Sequence, residues 1–181
     1  MKPSGVIEAD EIHREIRRMV EAVAANISDP SNLRIVGIAN GGIALAKRVA
    51  EMLANHFDQP VDWGVVDITF HRDDISLRPI TKISLPTELE FPLDHATVLL
   101  VDDVLHSGRT ARAAINELFD QGRPENIELL VLANRPERRL PIQPDYFGHF
   151  DALNESTSIC VTLDNAQPQH DRITYQTNCG T

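Results

Sequence analysis

The stretch VLLVDDVLHSGRTARAAINEL, Val98 to Leu118, constrains the chain more than any other. Thr97 to Val101 is branched and, after the threonine, apolar without a break, the pattern of a strand buried on both faces of a parallel sheet. Two acids follow, then a short loop rich in hydroxyls and glycine, then an amphipathic segment. Ala111, Ala114, Ile115 and Leu118 recur at helical spacing, so Arg109 to Asp120 reads as a helix with Gly122 set to end it. A parallel strand needs a crossover before its neighbour, and a helix is the usual one. This unit therefore commits the chain to an α/β fold.

The same alternation runs through the rest of the sequence. Ile12, Ile16, Met19, Val20 and Val23 make an amphipathic helix of Glu8 to Asn26, stopped by turn formers and Pro30. LRIVGI, Leu33 to Ile38, is a short core strand. ANGG breaks it, and Leu45, Ala46, Val49 and Leu53 mark a second helix from Ile43 to Asn55. A strand is expected near Val61 to Phe70, then a long polar loop or hairpin, HRDDISLRPITKISLPTEL. Ile127 to Asn134 is a fourth core strand and Thr157 to Leu163 a last one. The expected fold is an open, mostly parallel sheet with helices on both faces, a single domain over residues 1–181.

Composition narrows the function. A formal net charge of −10 argues against indiscriminate binding to nucleic acid. No apolar run nears the roughly 20 residues that span a bilayer. The opening MKPSGVIEADEIHREIRR is too acidic for a signal peptide, and Cys160 and Cys179 make no disulfide framework, so a cytoplasmic protein with free thiols is expected. The cysteines lack a nucleophile's partners, and His13, His56, His71, His95 and His170 show no metal-ligand spacing.

In sheets of this class ligands bind beyond the carboxyl ends of the strands. Two loops fall there, GIANGG and DDVLHSGRT. Ser107, Gly108 and Thr110 at a helix start offer N–H groups, hydroxyls and the positive end of a helix dipole, a setting for phosphate. Asp102 and Asp103, just upstream, suit the acceptance of hydrogen bonds from hydroxyls. A ribose 5-phosphate meets both demands. Adjacent carboxylates also suggest a metal, yet Mg²⁺ keeps most of its waters and favours substrate phosphates.

Four apolar residues, two acids, two apolar residues and HSGRT resemble the phosphoribosyl diphosphate motif of the type I phosphoribosyltransferases. VDITFHRDD and LFDQGRPENIELLVLANRPERRLPIQPDYFG are similar to the corresponding segments of that family's PyrR branch, pyrimidine operon attenuation proteins with uracil phosphoribosyltransferase activity. The resemblance spans roughly Leu33 to Gly148. It implies a small hood from about 1–30 and 140–181, with residues 146–163 contributing. Asp102 and Asp103 would bind the ribose hydroxyls, and Leu105, His106, Ser107, Gly108, Arg109 and Thr110 would surround the 5-phosphate. Ala39, Asn40, Gly41 and Gly42 would hold the diphosphate, with a non-proline cis peptide at Ala39–Asn40. Arg72 would cover it from a mobile 71–85 loop, and Tyr146 with Phe147 would bind the nucleobase. Mg²⁺, held by substrate and water, and a homodimer or higher assembly belong to the same expectation.

Several residues stay open to two readings. Arg109 is a phosphate ligand or a solvated helix start, His106 a general base or an ordinary polar residue, and Tyr146 and Phe147 hood rings or core aromatics. Where PyrR carries a basic residue, threonine and arginine, this chain has Ala39, Asn40 and Gly41; Glu137, Gln143 and His149 stand at positions that are His, Arg and Lys in that pattern. Fewer cations weaken RNA binding, which phosphate contacts dominate, although Arg135, Arg138 and Arg139 remain. The expected reaction makes UMP from uracil and phosphoribosyl diphosphate. The alternatives are a hypoxanthine or guanine phosphoribosyltransferase, because PDYFG also resembles the hood of those enzymes, and an RNA-binding regulator with little turnover.

Overall fold

The computed structural model describes residues 5–68, 87–135, 137–150 and 157–177. Its centre is a five-stranded sheet in the order β3-β2-β4-β5-β6, formed by Asp62–Val66, Leu33–Ile38, Thr97–Leu105, Asn126–Asn134 and Tyr146–Phe150. Every neighbouring pair is parallel. Helices α1 (Ala9–Asn26) and α2 (Gly42–Phe57) cover one face, and α3 (Arg109–Gln121) the other.

Alternation along β2 and β4 explains the two layers. Ile35, Leu99 and Val101 point towards α1 and α2, while Val36, Val98 and Leu100 point towards α3, and all six are fully buried. Strands buried on both sides read as unbroken apolar runs, which is why these two were plain in the sequence.

A second sheet, antiparallel and in the order β1-β8-β7, joins Val6–Glu8, Arg172–Thr177 and Thr157–Thr162. It corrects the expected hood in two respects. Tyr146–Phe150 is not hood but the edge strand of the main sheet, and α1 packs its apolar stripe into the main core. Thr157–Thr162, expected as a last strand within the hood segment 146–163, pairs with β8 in the small sheet. Gly122 caps α3 as expected, but with extended rather than left-handed backbone. The position is tight because a Cβ there would lie 2.9 Å from that of Leu93.

The two sheets are tied at Asp171, whose side chain is fully buried. Arg48 on α2 forms an ion pair with its carboxylate, His13 Nε2–H on α1 donates at 2.7 Å, and the Asp164 N–H donates at 2.8 Å. Burial alone would raise the Asp171 pKa. The donors from Arg48, Asp164 and His13 outweigh it and hold the carboxyl below its ordinary value of 3.8.

Removing one member of a buried pair leaves the other charge uncompensated. Asp171→Ala should therefore lower the unfolding free energy by about 3 kcal/mol in urea titrations. Because the folded pKa is depressed, this stabilisation is complete above the ordinary carboxylate range and disappears as pH falls through the folded value. The wild type should show an acid limb below about pH 4 that is shallower in Asp171→Asn. Identical acid limbs would remove Asp171 from this role.

Candidate active site

Strand β4 runs further than its neighbour β2. The last β2–β4 pair is Gly37 with Val101, whereas β4 and β5 stay in register to Leu105 and Asn134. Asp102 and Asp103 are thus part of the strand rather than of the loop after it, a correction to the expected end at Val101. By that register Asp102 stands level with Ile38, the last residue of β2, and Asp103 just beyond it, on a shelf where β5 alone continues beside β4. Asp102 is 7% exposed, and its Oδ1 accepts the Asp103 N–H at 2.9 Å.

The first loop turns off β2 directly against this shelf. Its Ala39–Asn40 peptide is cis, as expected. A Cβ on Gly41 would lie 2.4 to 2.7 Å from the carboxylate atoms of Asp103, and one on Gly42 would lie 2.1 Å from the Val101 carbonyl oxygen. Neither position can carry a side chain without moving something. The two loops that the sequence singled out are therefore in contact, with Asp103 between them.

The second loop leads into α3. Gly108 caps the helix at φ 88°, a left-handed conformation that glycine adopts without penalty. The first N–H groups of a helix have no acceptor within it. Those of α3 lie beside the acid pair's strand, where an anion and vicinal hydroxyls could be held together. Ser107 Oγ accepts the Arg109 N–H at 3.3 Å. Thr110 is half-buried and Arg109 exposed, which suits a solvated helix start and leaves a phosphate role open.

His106 is exposed, with Nε2 3.9 Å from Glu137. Partial burial and the positive charge of Arg135 lower its pKa, with Glu137 opposing, so the imidazole is neutral at pH 7. Arg135 is 9% exposed and reaches towards Glu137 at 3.3 Å. The Arg138 guanidinium is bonded to backbone oxygens. Two cations counted from sequence as available to a polyanion are thus engaged within the chain.

Tyr146 does not serve the site. Its ring is buried in the α1 layer, its hydroxyl donates to Glu128 at 2.9 Å and accepts from Asn26 at 3.1 Å, and burial with the Glu128 charge raises its pKa to about 12. Asn26 and Glu128 lie towards the amino ends of the strands, opposite the acid pair, so Tyr146 is a core residue. Phe147, on the other face, is 38% exposed, and its carbonyl accepts from Arg18 Nη2 at 2.6 Å. Arg72 and the 71–85 loop lie outside the described residues.

The glycine contacts differ in kind. Gly42→Ala opposes a side chain to backbone and should destabilise by roughly 3 kcal/mol, the upper range for overpacking. Gly41→Ala meets only a movable carboxylate and should stay within about 1 kcal/mol of wild type while displacing Asp103. Urea midpoints for both variants test the distinction, which equal losses would refute.

Comparison with known proteins matches residues 8–164 to the phosphoribosyl transferase domain. The bifunctional protein PyrR of Bacillus subtilis is 37% identical over 175 residues, covering 96% of each chain. That of Corynebacterium glutamicum is 42% identical over 164 residues, covering 87% of this chain and 85% of its own. Among solved structures, a hypoxanthine phosphoribosyl transferase of Trypanosoma cruzi superposes with a TM-score of 0.68 at 16% identity, covering 95% of this chain and 91% of its own. A purine phosphoribosyltransferase of Pyrococcus horikoshii gives 0.59 at 23% identity, covering 81% and 86%. At such identities these structures speak for the fold alone. Taken with the strand-loop-helix site, the family match and the PyrR relatives make this chain a PyrR-like member of the phosphoribosyl transferase domain family.

Proposed function

We propose that this protein is a cytoplasmic uracil phosphoribosyltransferase that converts uracil and phosphoribosyl diphosphate to UMP and pyrophosphate, acting as a homodimer or higher assembly. The observation that carries the reading is the contact of the first loop with Asp103 through Gly41. It brings a backbone-lined loop, a carboxylate pair and a helix start to one sheet edge, the three features that a phosphorylated sugar diphosphate requires. PyrR relatives near 40% identity favour uracil over the purines.

In this reading the N–H groups and hydroxyls of residues 105–110 anchor the 5-phosphate, and Asp102 and Asp103 accept hydrogen bonds from the ribose hydroxyls. The Ala39–Gly42 backbone holds the diphosphate, with Arg72 covering it. The bond from C1 of ribose to the diphosphate oxygen breaks while a uracil ring nitrogen, losing its proton, bonds to C1. Charge on the electron-poor sugar and the leaving group is met by fixed groups, so positioning and electrostatics supply the acceleration. The acid pair offers hard carboxylate oxygens, with Asp103 half-buried and Asp102 buried, and such donors fit magnesium bound chiefly by substrate oxygens and water, with Asp103 as the carboxylate on offer. When bound, the ion would neutralise the diphosphate charge.

Pyrophosphate release should be seen with uracil and be absent with hypoxanthine and guanine; turnover with hypoxanthine alone would assign the enzyme to purines. Changing Asp102 and Asp103 together to Asn should lower kcat/KM by roughly 100-fold, as expected when hydrogen bonds to charged groups are weakened in the transition state. Wild-type rates in that variant would end the proposed role of the pair.

RNA binding is the weaker reading, because Arg135 and Arg138 face inward. A pyrimidine-leader hairpin should bind weakly, with little preference over a scrambled one at physiological salt. Selective binding that persists as salt rises would reverse that order.

A further inference from the structure

The backbone oxygens of Leu105, His106, Ser107 and Gly108 are all taken by donors. The Arg135 N–H reaches Leu105 O at 2.8 Å, and the Arg139 and Leu140 N–H groups reach Ser107 O at 3.0 and 3.1 Å. The Arg112 N–H reaches Gly108 O at 3.0 Å within α3. His106 O is bound by a side chain, Arg138 Nη1, at 2.6 Å. The same guanidinium donates from Nε to Ile142 O at 3.0 Å, and to Arg135 O and the Asn134 Oδ1. Residues 134–135 and 137–142 form a strap around one side of the loop, and Leu140 and Ile142 also close over Gly108, with Cβ atoms 3.3 and 3.4 Å from where its own would be.

A trans peptide is planar, with its C=O and N–H pointing in opposite directions. Fixing the oxygens of Leu105, His106 and Ser107 against the strap therefore turns the N–H groups of His106, Ser107 and Gly108 away from it. We propose that Arg138 is a positioning residue for the phosphate loop, holding the His106 carbonyl back so that the loop presents consecutive N–H groups to the 5-phosphate. This rests on the reading of residues 105–110 as the phosphate site. Arg138 acts through the backbone and touches no substrate. The planar fork of donors suits arginine, which can serve several oxygens at fixed angles where lysine offers a single point charge. Partial burial lowers the guanidinium pKa, with Glu137 opposing, consistent with a side chain committed to the interior.

Calorimetry with three ligands in the presence of Mg²⁺ tests the assignment: phosphoribosyl diphosphate, ribose 5-phosphate and inorganic pyrophosphate. Arg138→Ala should weaken the first two by roughly 10- to 100-fold, the range for losing a hydrogen bond to a charged group, and leave pyrophosphate unchanged. Millimolar guanidinium should restore much of the loss, and Arg138→Lys, which guards against a variant that fails to fold, should fall between. Equal weakening of all three ligands, unchanged ribose 5-phosphate binding, or no rescue would overturn the proposal. Thr110→Val separates the two levels of inference. If it leaves ribose 5-phosphate binding intact, the phosphate-site reading fails and the Arg138 role with it. If Thr110→Val weakens binding and Arg138→Ala does not, the Arg138 role alone is lost.

Discussion

No side chain fits between the first loop and the fourth strand, and the site depends on that exclusion. A methyl group on Gly42 would overlap the Val101 carbonyl, and one on Gly41 the carboxylate of Asp103. The missing atoms let α2 begin immediately after β2 while its loop lies flat against the shelf made by β4 and β5. Gly37 extends the same seam, since a Cβ there would meet that of Ala46 at 2.9 Å. Dense packing transmits such constraints, because an interior without voids cannot absorb an extra methyl locally. The distance between the two loops is therefore set by the backbone contact at Gly42 and the carboxylate contact at Gly41.

A second constraint fixes the small sheet. Asp171 gathers donors from α1, α2 and the turn before β8, so one carboxylate joins the two helices to a turn more than a hundred residues further along the chain. A buried carboxylate is tolerated only when its oxygens are satisfied. The arrangement is specific for that reason: a small sheet shifted by a few ångströms would leave the charge stranded. Ile173, fully buried two residues later, adds apolar contact with the main core at the same junction.

Much of this was legible in the residues and some was not. The strands β2, β4 and β5 and all three helices declare themselves because both faces of the sheet are covered and the apolar pattern is unbroken. The acid pair and the loop after it carry their chemistry in residue type and spacing. Strand β6 was misassigned because DYFGHF reads equally as a hood segment; its place at the sheet edge is set by pairing with β5, which leaves no local signature. Tyr146 was misjudged for a related reason. Its neighbours Asn26 and Glu128 are distant in sequence, and a tyrosine with a buried, doubly bonded hydroxyl looks no different from one awaiting a base. Arg138 was counted as a surface cation, since its partners are mostly carbonyl oxygens, which every residue possesses.

The inward course of Arg135 and Arg138 bears on how a ligand arrives. The formal net charge is −10, and these two cations are turned towards the chain's own oxygens and Glu137, which leaves Arg139 as the strap's exposed cation among the described residues. What the strap side of the cleft offers an anion are amide dipoles, which act over only a few ångströms. Under the proposed function, that side of the cleft favours a compact anion that engages the aligned amides over a long polyanion that binds through many separate charge contacts.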